Sequence, residues 1–229
     1  MKEVVMFLRQ LKANNNKEWF TEHKSEYQSA QAKFNVFCEE LIHRIEGFDP
    51  SVRGLTLKDC TFRIYRDLRF SKDKSPYKTH MGVYVCRGGK KSGYSGYYFH
   101  VAAGDEKDET MNSHILAVGD YCFEPKVLKT IREDIVNGDG DFDDIVRNQL
   151  DARLKFSEAD KLKRVPQGFP ADSPWAEYLK LKVFCPVYEP DDSFIFDKNL
   201  CANVAEIFKT GKTFLDYVNR AIDYVREEM

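Results

Sequence analysis

The segment from 63 to 80, RIYRDLRFSKDKSPYKTH, concentrates side chains that can bind anions and exchange protons. It contains six Lys or Arg residues and two Asp residues, so its local charge is +4, whereas the whole chain has a net charge of −2. Arginine presents a planar fork of N–H donors that fits phosphate or carboxylate oxygens. We therefore predict that this basic hairpin binds a small anionic ligand. The predicted ligand-binding residues are Arg63, Arg69, Lys74, Tyr77 and Lys78.

Arg66 is predicted to make a structural ion pair instead. It falls on the apolar side of an alternating pattern, and a buried guanidinium needs a carboxylate partner. Asp67, or a carboxylate from a helix, is the expected partner. A network of such pairs, holding the hairpin to helices, is also the alternative interpretation of the other cations. The residues alone leave the ligand pocket and the ion-pair network both open.

Four residues are candidates for acid–base groups: Tyr65, Asp67, His80 and His100. His80 and His100 fall on adjacent predicted strands and are expected side by side, where they could act on protons. The alternative is a pair of half-buried structural histidines. No H-x-x-H or H-E-x-x-H pattern accompanies them, so no metal and no cofactor is predicted. Whether the chain is an enzyme stays open.

Helical and strand periodicities surround this segment. Apolar residues at helical spacing predict a helix over 3–13, and a long second helix that starts with a capping box at Asn15 and Glu18 and ends at Gly47. After Pro50 the period changes to two, which predicts strands. The predicted strands cover 62–68, 78–86, 97–101, 114–118 and 183–188. Further helices are predicted over 125–137, 142–150, 174–181 and 199–227, the last with a joint at Gly211.

Composition restricts the classes of partner. At 42% hydrophobic and 31% charged residues, the chain is typical of globular proteins, and no apolar run approaches the length that spans a membrane. The near-neutral charge disfavours general nucleic-acid binding, which needs a broad basic surface. Base stacking on Tyr94, Tyr97 and Tyr98 is therefore the less favoured interpretation, and packing of these rings is the preferred one. The oligomeric state is not predicted.

The six cysteines indicate a reducing compartment. None forms a C-x-x-C pair, and most lie among apolar neighbours. We expect buried free thiols, and hence a cytoplasmic protein.

Three stretches resemble one known family. FRIYRDLRFSKDKSPYKTH (62–80), SGYYFHV (95–101) and LKRVPQGFPADSPWAEYLKLKVF (162–184), with the opening FLRQLKANNNKEWF, are similar to the domain of unknown function 2461 family. The resemblance covers nearly the whole chain and implies small uncharacterised bacterial and fungal proteins without an assigned activity. The sequence departs from the family over 105–119, where a glycine-rich stretch is common, so the resemblance assigns no role to His114.

We therefore expect an α+β protein in which a mostly antiparallel sheet packs against N-terminal and C-terminal helices. A single domain over 1–229 is expected, with a helical part (1–50), a hairpin sheet (58–120) and a mainly helical part with one late strand (124–229). The leading functional hypothesis is a protein that binds a phosphate- or carboxylate-bearing ligand at the basic hairpin. The alternative is a non-catalytic interaction module for protein or single-stranded nucleic acid.

Overall fold

The computed structural model describes residues 1–69, 73–104 and 113–228. Ser71 and Lys72 of the basic segment lie outside the described residues, as does most of the stretch that departs from the family pattern. Within the described ranges, no helix is both long enough and apolar enough to cross a lipid bilayer.

Four antiparallel strands form the sheet, in the order β1-β2-β3-β4. Their bounds are β1 His80–Cys86, β2 Gly96–Ala102, β3 Ile115–Gly119 and β4 Val187–Tyr188. In the register between β1 and β2, His80 lies opposite Ala102 and Gly82 lies opposite His100. This alternation places His80, Gly82 and His100 on one face of the sheet, because successive side chains of a strand point to opposite faces.

Helices from the N-terminal part cover the other face. They are α1 Lys2–Ala13, α2 Lys17–Glu22 and α3 Lys24–Glu46, followed by a 3-10 turn at Pro50–Val52 and α4 Leu57–Cys60. The buried residues of α3 recur every three or four positions, which turns one stripe toward the core. Phe37 of this stripe packs on Phe99 of β2, with ring centroids 4.9 Å apart.

The C-terminal part is mainly helical. Its elements are α5 Pro125–Asn137, α6 Asp141–Asp144, a π-helical turn Ile145–Gln149, α7 Ala176–Leu179, α8 Asp192–Ile195, α9 Leu200–Thr210 and α10 Lys212–Glu227. Phe208 of α9 packs on Tyr97 of β2 at 5.4 Å between ring centroids. The predicted joint Gly211 separates α9 from α10, and a Cβ there would lie 2.7 Å from Val118 of β3. The joint therefore brings these helices directly onto the sheet.

A continuous buried cluster contains residues from Val4 of α1 to Val225 of α10. The α+β class and the antiparallel sheet between N-terminal and C-terminal helices are confirmed. Of the six cysteines, Cys38, Cys60, Cys86 and Cys201 are buried thiols, whereas Cys122 is exposed.

The predicted strand over 62–68 is wrong. Only isolated bridges occur there, from Thr61 to Val83 and from Tyr65 to Tyr77. Ile64 is 4% exposed, whereas Phe62 is 41% exposed and Tyr65 52%. One buried apolar residue does not supply the continuous apolar face that holds a strand on a core.

The predicted long second helix is two helices. The cap of α2 is Asn16, whose side chain accepts a hydrogen bond from the backbone N–H of Trp19 at 2.9 Å, and not Asn15. The helix ends at His23, where both the backbone N–H and the ring Nδ1 bond to the carbonyl of Trp19.

The predicted late strand shortens to Val187–Tyr188, because Pro186 has no N–H to donate to a ladder.

Candidate anion-binding site

The basic segment forms a narrow loop whose two arms are paired. Lys78 donates its backbone N–H to the carbonyl of Ile64 at 2.8 Å, and Arg66 donates its own to the carbonyl of Pro76 at 3.0 Å. Together with the Tyr65–Tyr77 bridge, these bonds hold the arms in register. The loop continues directly into β1 and delivers His80 to the sheet.

Asn15 fixes the loop to the N-terminal helices. Its side-chain amide donates to the carbonyl of Tyr77 at 2.9 Å and accepts from the N–H of Tyr77 at 3.1 Å. The ring of Tyr77, 4% exposed, stacks on Phe20 of α2 with centroids 3.9 Å apart. Tyr77, a predicted ligand-binding residue, therefore serves as a buried anchor. The sequence analysis missed this role of Asn15, because it assigned that residue to a helix cap.

Two of the arginines pair with carboxylates of the segment itself. Arg66 pairs with Asp73 rather than with Asp67 or a helix carboxylate. Arg69 pairs with Asp67, with 2.9 Å between Nε and Oδ1. These contacts, chiefly the hydrogen bonds from Arg69, lower the pKa of Asp67 to about 2. Asp67 is consequently ionised near neutral pH and cannot donate a proton.

Lys74 makes a local contact as well, because its Nζ donates to the carbonyl of Leu68 at 3.1 Å. Within the described residues, the cations of this segment do not pair with helix carboxylates. The carboxylate partners described for Arg66 and Arg69, Asp73 and Asp67, thus lie within the loop itself.

Arg63 and Lys78 differ from Arg66 and Arg69, which pair with carboxylates. Neither contacts a carboxylate among the described residues. Lys78 is half-buried, with Nζ 5.5 Å from the ring centroid of Phe62. Burial lowers the pKa of Lys78, and the nearby charge of Arg63 lowers it further. Partial burial and a neighbouring like charge thus both disfavour the protonated form of Lys78.

His80 and His100 lie side by side, with ring centroids 5.0 Å apart. The carbonyl of Ser113 lies 2.6 Å from Nε2 of His100, so Nε2 carries the proton. Nδ1 therefore accepts from the hydroxyl of Tyr98 at 2.9 Å. Burial, with the neighbouring His80, lowers the pKa of His100 to about 3. His100 is a neutral, fully engaged ring and has no nitrogen left for a substrate.

His80 keeps its ring nitrogens available, since within the described ranges neither has a hydrogen-bond partner. Burial lowers the pKa of His80 to about 4, and the charges of Lys78 and Arg66 contribute to this shift. The imidazole is thus neutral near pH 7 and can donate one hydrogen bond and accept another.

A small cleft lies beside His80, between α3 and the start of the loop. Gln31 and Asn35 of α3 line it, together with Thr61 and Phe62. Its volume of about 20 Å³ admits one or two water molecules. The sequence analysis missed Gln31 and Asn35, although their spacing of four after Tyr27 places all three on one line of the helix.

The remaining candidates lie in structural positions. Tyr65 is exposed and contacts the rings of Phe20 and Tyr77. Tyr97 is buried and donates to Asp49 at 3.0 Å, while Tyr94 lies near the guanidinium groups of two arginines. Tyr97 and Tyr94 thus make packing and hydrogen-bond contacts within the fold.

His114 belongs to a separate buried network. Its Nδ1 accepts from the backbone N–H of Ala102 at 3.1 Å, so the proton is on Nε2, which donates to Asp192 at 3.0 Å. Arg9 donates to the same carboxylate at 2.7 Å. Both ring nitrogens of His114 are therefore engaged. The contacts of Asp192 with His114 and Arg9 connect the start of β3 to α8 and α1.

Among the described residues, no group of three or more His, Cys, Asp or Glu side chains could hold a metal ion.

Comparison with known proteins gives one match. The family model described as Conserved hypothetical protein (DUF2461) matches residues 3–217. Comparisons with curated proteins and with solved structures returned no match.

Proposed function

The chain belongs to the domain of unknown function 2461 family, and because that description names no activity, we propose from the site itself that the protein binds a small anionic ligand at the basic segment 63–80. The ligand carries a phosphate or a carboxylate group. Binding, rather than catalysis, is the function that the geometry supports best, because Asp67 and His100 are engaged in other contacts.

The observation that carries the proposal is the pair of Arg63 and Lys78. Both are cationic, Lys78 is partly desolvated, and neither contacts a carboxylate within the described ranges. An anion between them would relieve the repulsion and form charge-assisted hydrogen bonds, which are about twice as strong as neutral ones. A phosphate dianion would neutralise both charges, whereas a carboxylate would neutralise one.

The adjoining cleft restricts how the ligand lies. At about 20 Å³ the enclosed space is too small for a phosphate group. The proposed position of the anionic group is therefore outside the cleft, beside Phe62, which lines the cleft and whose ring centroid lies 5.5 Å from Nζ of Lys78. Neutral His80 borders the same cleft and supplies a further hydrogen-bond donor.

The proposal is tested by thermal shift against inorganic phosphate, sugar phosphates, nucleotides and small carboxylates. A ligand at a hundred times its dissociation constant adds about 2.7 kcal/mol to the free energy of unfolding. For a chain of this length the melting temperature should rise by roughly 5 to 10 °C. Arg63→Ala and Lys78→Gln should abolish this shift. Lys126→Gln, which removes an exposed cation from α5, should keep it.

Two outcomes would contradict the proposal. One is the absence of any shift up to millimolar concentrations of every ligand. The other is a shift that persists unchanged in both Arg63→Ala and Lys78→Gln while these variants remain folded.

An interaction surface for single-stranded nucleic acid is the second candidate. It is favoured by the exposure of Phe62 (41%) and Tyr65 (52%) on either side of Arg63, since exposed rings beside cations can stack bases. This function predicts that short oligonucleotides bind more tightly than mononucleotides. It also predicts that affinity falls steeply with salt, with a logarithmic slope of about −0.7 for each phosphate contacted. Equal affinity for an oligonucleotide and its mononucleotide would exclude it.

A further inference from the structure

A second cavity lies between α5 and the segment from 166 to 170. Its volume is about 410 Å³, which falls within the range of about 300 to 1,000 Å³ that is usual for small-molecule sites. No residue that lines it belongs to the basic segment or to the cleft beside His80. The groove is therefore distinct from the candidate anion-binding site.

Arg132 is the polar centre of this groove. Its Nε donates to the carbonyl of Leu179 at 2.9 Å, and its Nη2 donates to the carbonyl of Leu181 at 2.8 Å. These two bonds hold the guanidinium plane against the backbone at the last residue of α7 and two residues beyond it. A guanidinium has five N–H donors, so three remain without a described acceptor.

The charge of Arg132 has no counter-ion within the described ranges. It contacts no carboxylate there, and burial alone lowers its pKa. The partial burial of this charge costs free energy, because a buried charge is stabilised fully only when an opposite charge lies beside it.

The other residues that line the groove indicate which kind of ligand would pair with Arg132. Lys129 and Glu133 pair with each other at 3.3 Å, so with Arg132 the groove has a net charge of +1. Phe169 and Pro166 supply an aromatic and an apolar wall. The charge matches a monoanion, and the walls match an apolar body attached to it.

We infer that this groove binds a small carboxylate with an apolar or aromatic body, the carboxylate against Arg132 and the body against Phe169 and Pro166. With Nε and one N–H of Nη2 bonded to carbonyls, the Nη1–Nη2 edge of the guanidinium remains, and such an edge favours the planar, two-oxygen geometry of a carboxylate. The single net charge also distinguishes this groove from the pair of cations at Arg63 and Lys78, which matches a dianion.

The test is a titration of the ¹⁵N-labelled protein with phenylacetate, with phenylacetamide as the neutral control of the same shape. We expect saturable shifts of the backbone amide signals of residues 129–137 and 166–170 with phenylacetate, and at least tenfold weaker effects with phenylacetamide. Lys129→Glu changes the net charge of the groove from +1 to −1 at an exposed position. It should weaken the affinity by about fivefold or more.

Arg132→Gln should abolish binding. Because Arg132 also holds the carbonyls of Leu179 and Leu181, the amide spectrum of this variant must first show a folded chain. Lys24→Gln, which removes an exposed cation of α3 outside both cavities, should bind phenylacetate as the wild type does. Equal shifts with phenylacetate and phenylacetamide would overturn the inference. So would an absence of saturable shifts at tens of millimolar, or unchanged affinity in Lys129→Glu.

Discussion

Replacement of His80 by glutamine should remove a defined part of the acid sensitivity of the fold. His80 is held neutral, with its pKa lowered to about 4 from the ordinary 6.5 by burial and by the charges of Lys78 and Arg66. The unfolded chain takes up a proton on this ring first, as the pH falls below 6.5. The contribution of His80 to stability is therefore fully present above pH 6.5, and is lost as the pH falls toward 4.

The magnitude follows from the two pKa values. At about pH 4.5 an imidazole with a pKa of 6.5 is almost fully protonated, whereas one with a pKa of about 4 is mostly neutral. The difference lowers the free energy of unfolding of the wild type by about 2.5 kcal/mol between about pH 7.5 and pH 4.5. A folded-state pKa one unit higher or lower changes this figure only to about 2 to 3 kcal/mol, because the unfolded state dominates it.

Urea unfolding at these two pH values measures the effect. Glutamates begin to take up protons near pH 4.5, but the wild type and His80→Gln carry the same carboxylates, so that contribution cancels in the comparison. His80→Gln should lose about 2.5 kcal/mol less than the wild type over this interval. If His80→Gln and the wild type lost equal stability, the burial argument for His80 would be refuted.

Two further substitutions test structural contacts, one at the anchor of the basic loop and one at the end of β3. Asn15→Ala removes both hydrogen bonds to the backbone of Tyr77. It should lower the free energy of unfolding by about 1 to 3 kcal/mol in urea titrations, and a cost below a few tenths would contradict the anchoring role. Gly119→Ala places a Cβ 2.0 Å from the carbonyl oxygen of Phe184 at a φ of +123°, and should cost more than about 3 kcal/mol. The control is Gly54→Ala, at a φ of +79° but in open space. It should cost only about 1 kcal/mol when the free energies of unfolding of both glycine variants are measured in urea.

The sequence predicted those elements whose side chains repeat against one core. The helix over Pro125–Asn137 and the break at Gly211 follow from apolar periodicity and from helix-terminating residues, and both are present. The three main strands are rich in β-branched and aromatic residues and lie next to glycine-containing turns, and they too are present. Residues 62–68 show an alternation in sequence, although they form a loop. The alternation places Phe62 on the apolar side with Ile64, whereas its ring is 41% exposed.

Part of the candidate site was predictable. The proximity of His80 and His100 follows from neighbouring strands and a short connection, and the rings lie 5.0 Å apart. The bond from Asn15 to Tyr77 joins residues 62 positions apart, which no local pattern encodes. The sorting of cations into paired and unpaired ones also depends on the folded path of the loop. Arg66 pairs with Asp73, whereas Lys78 lies near the ring of Phe62 and the charge of Arg63.

The packing of α3 on α9 bears on how the chain is made. Phe37 and Cys201 meet at this contact, where the thiol lies 4.0 Å from the carbonyl oxygen of Phe37. About 150 residues separate the end of α3 from the start of α9. At a synthesis rate of about 5 to 20 residues per second, α9 is translated roughly 8 to 30 seconds after α3. During that interval the apolar stripe of α3 lacks its permanent neighbour. A ribosome-associated chaperone that recognises apolar helices would find its substrate in the first fifth of the nascent chain.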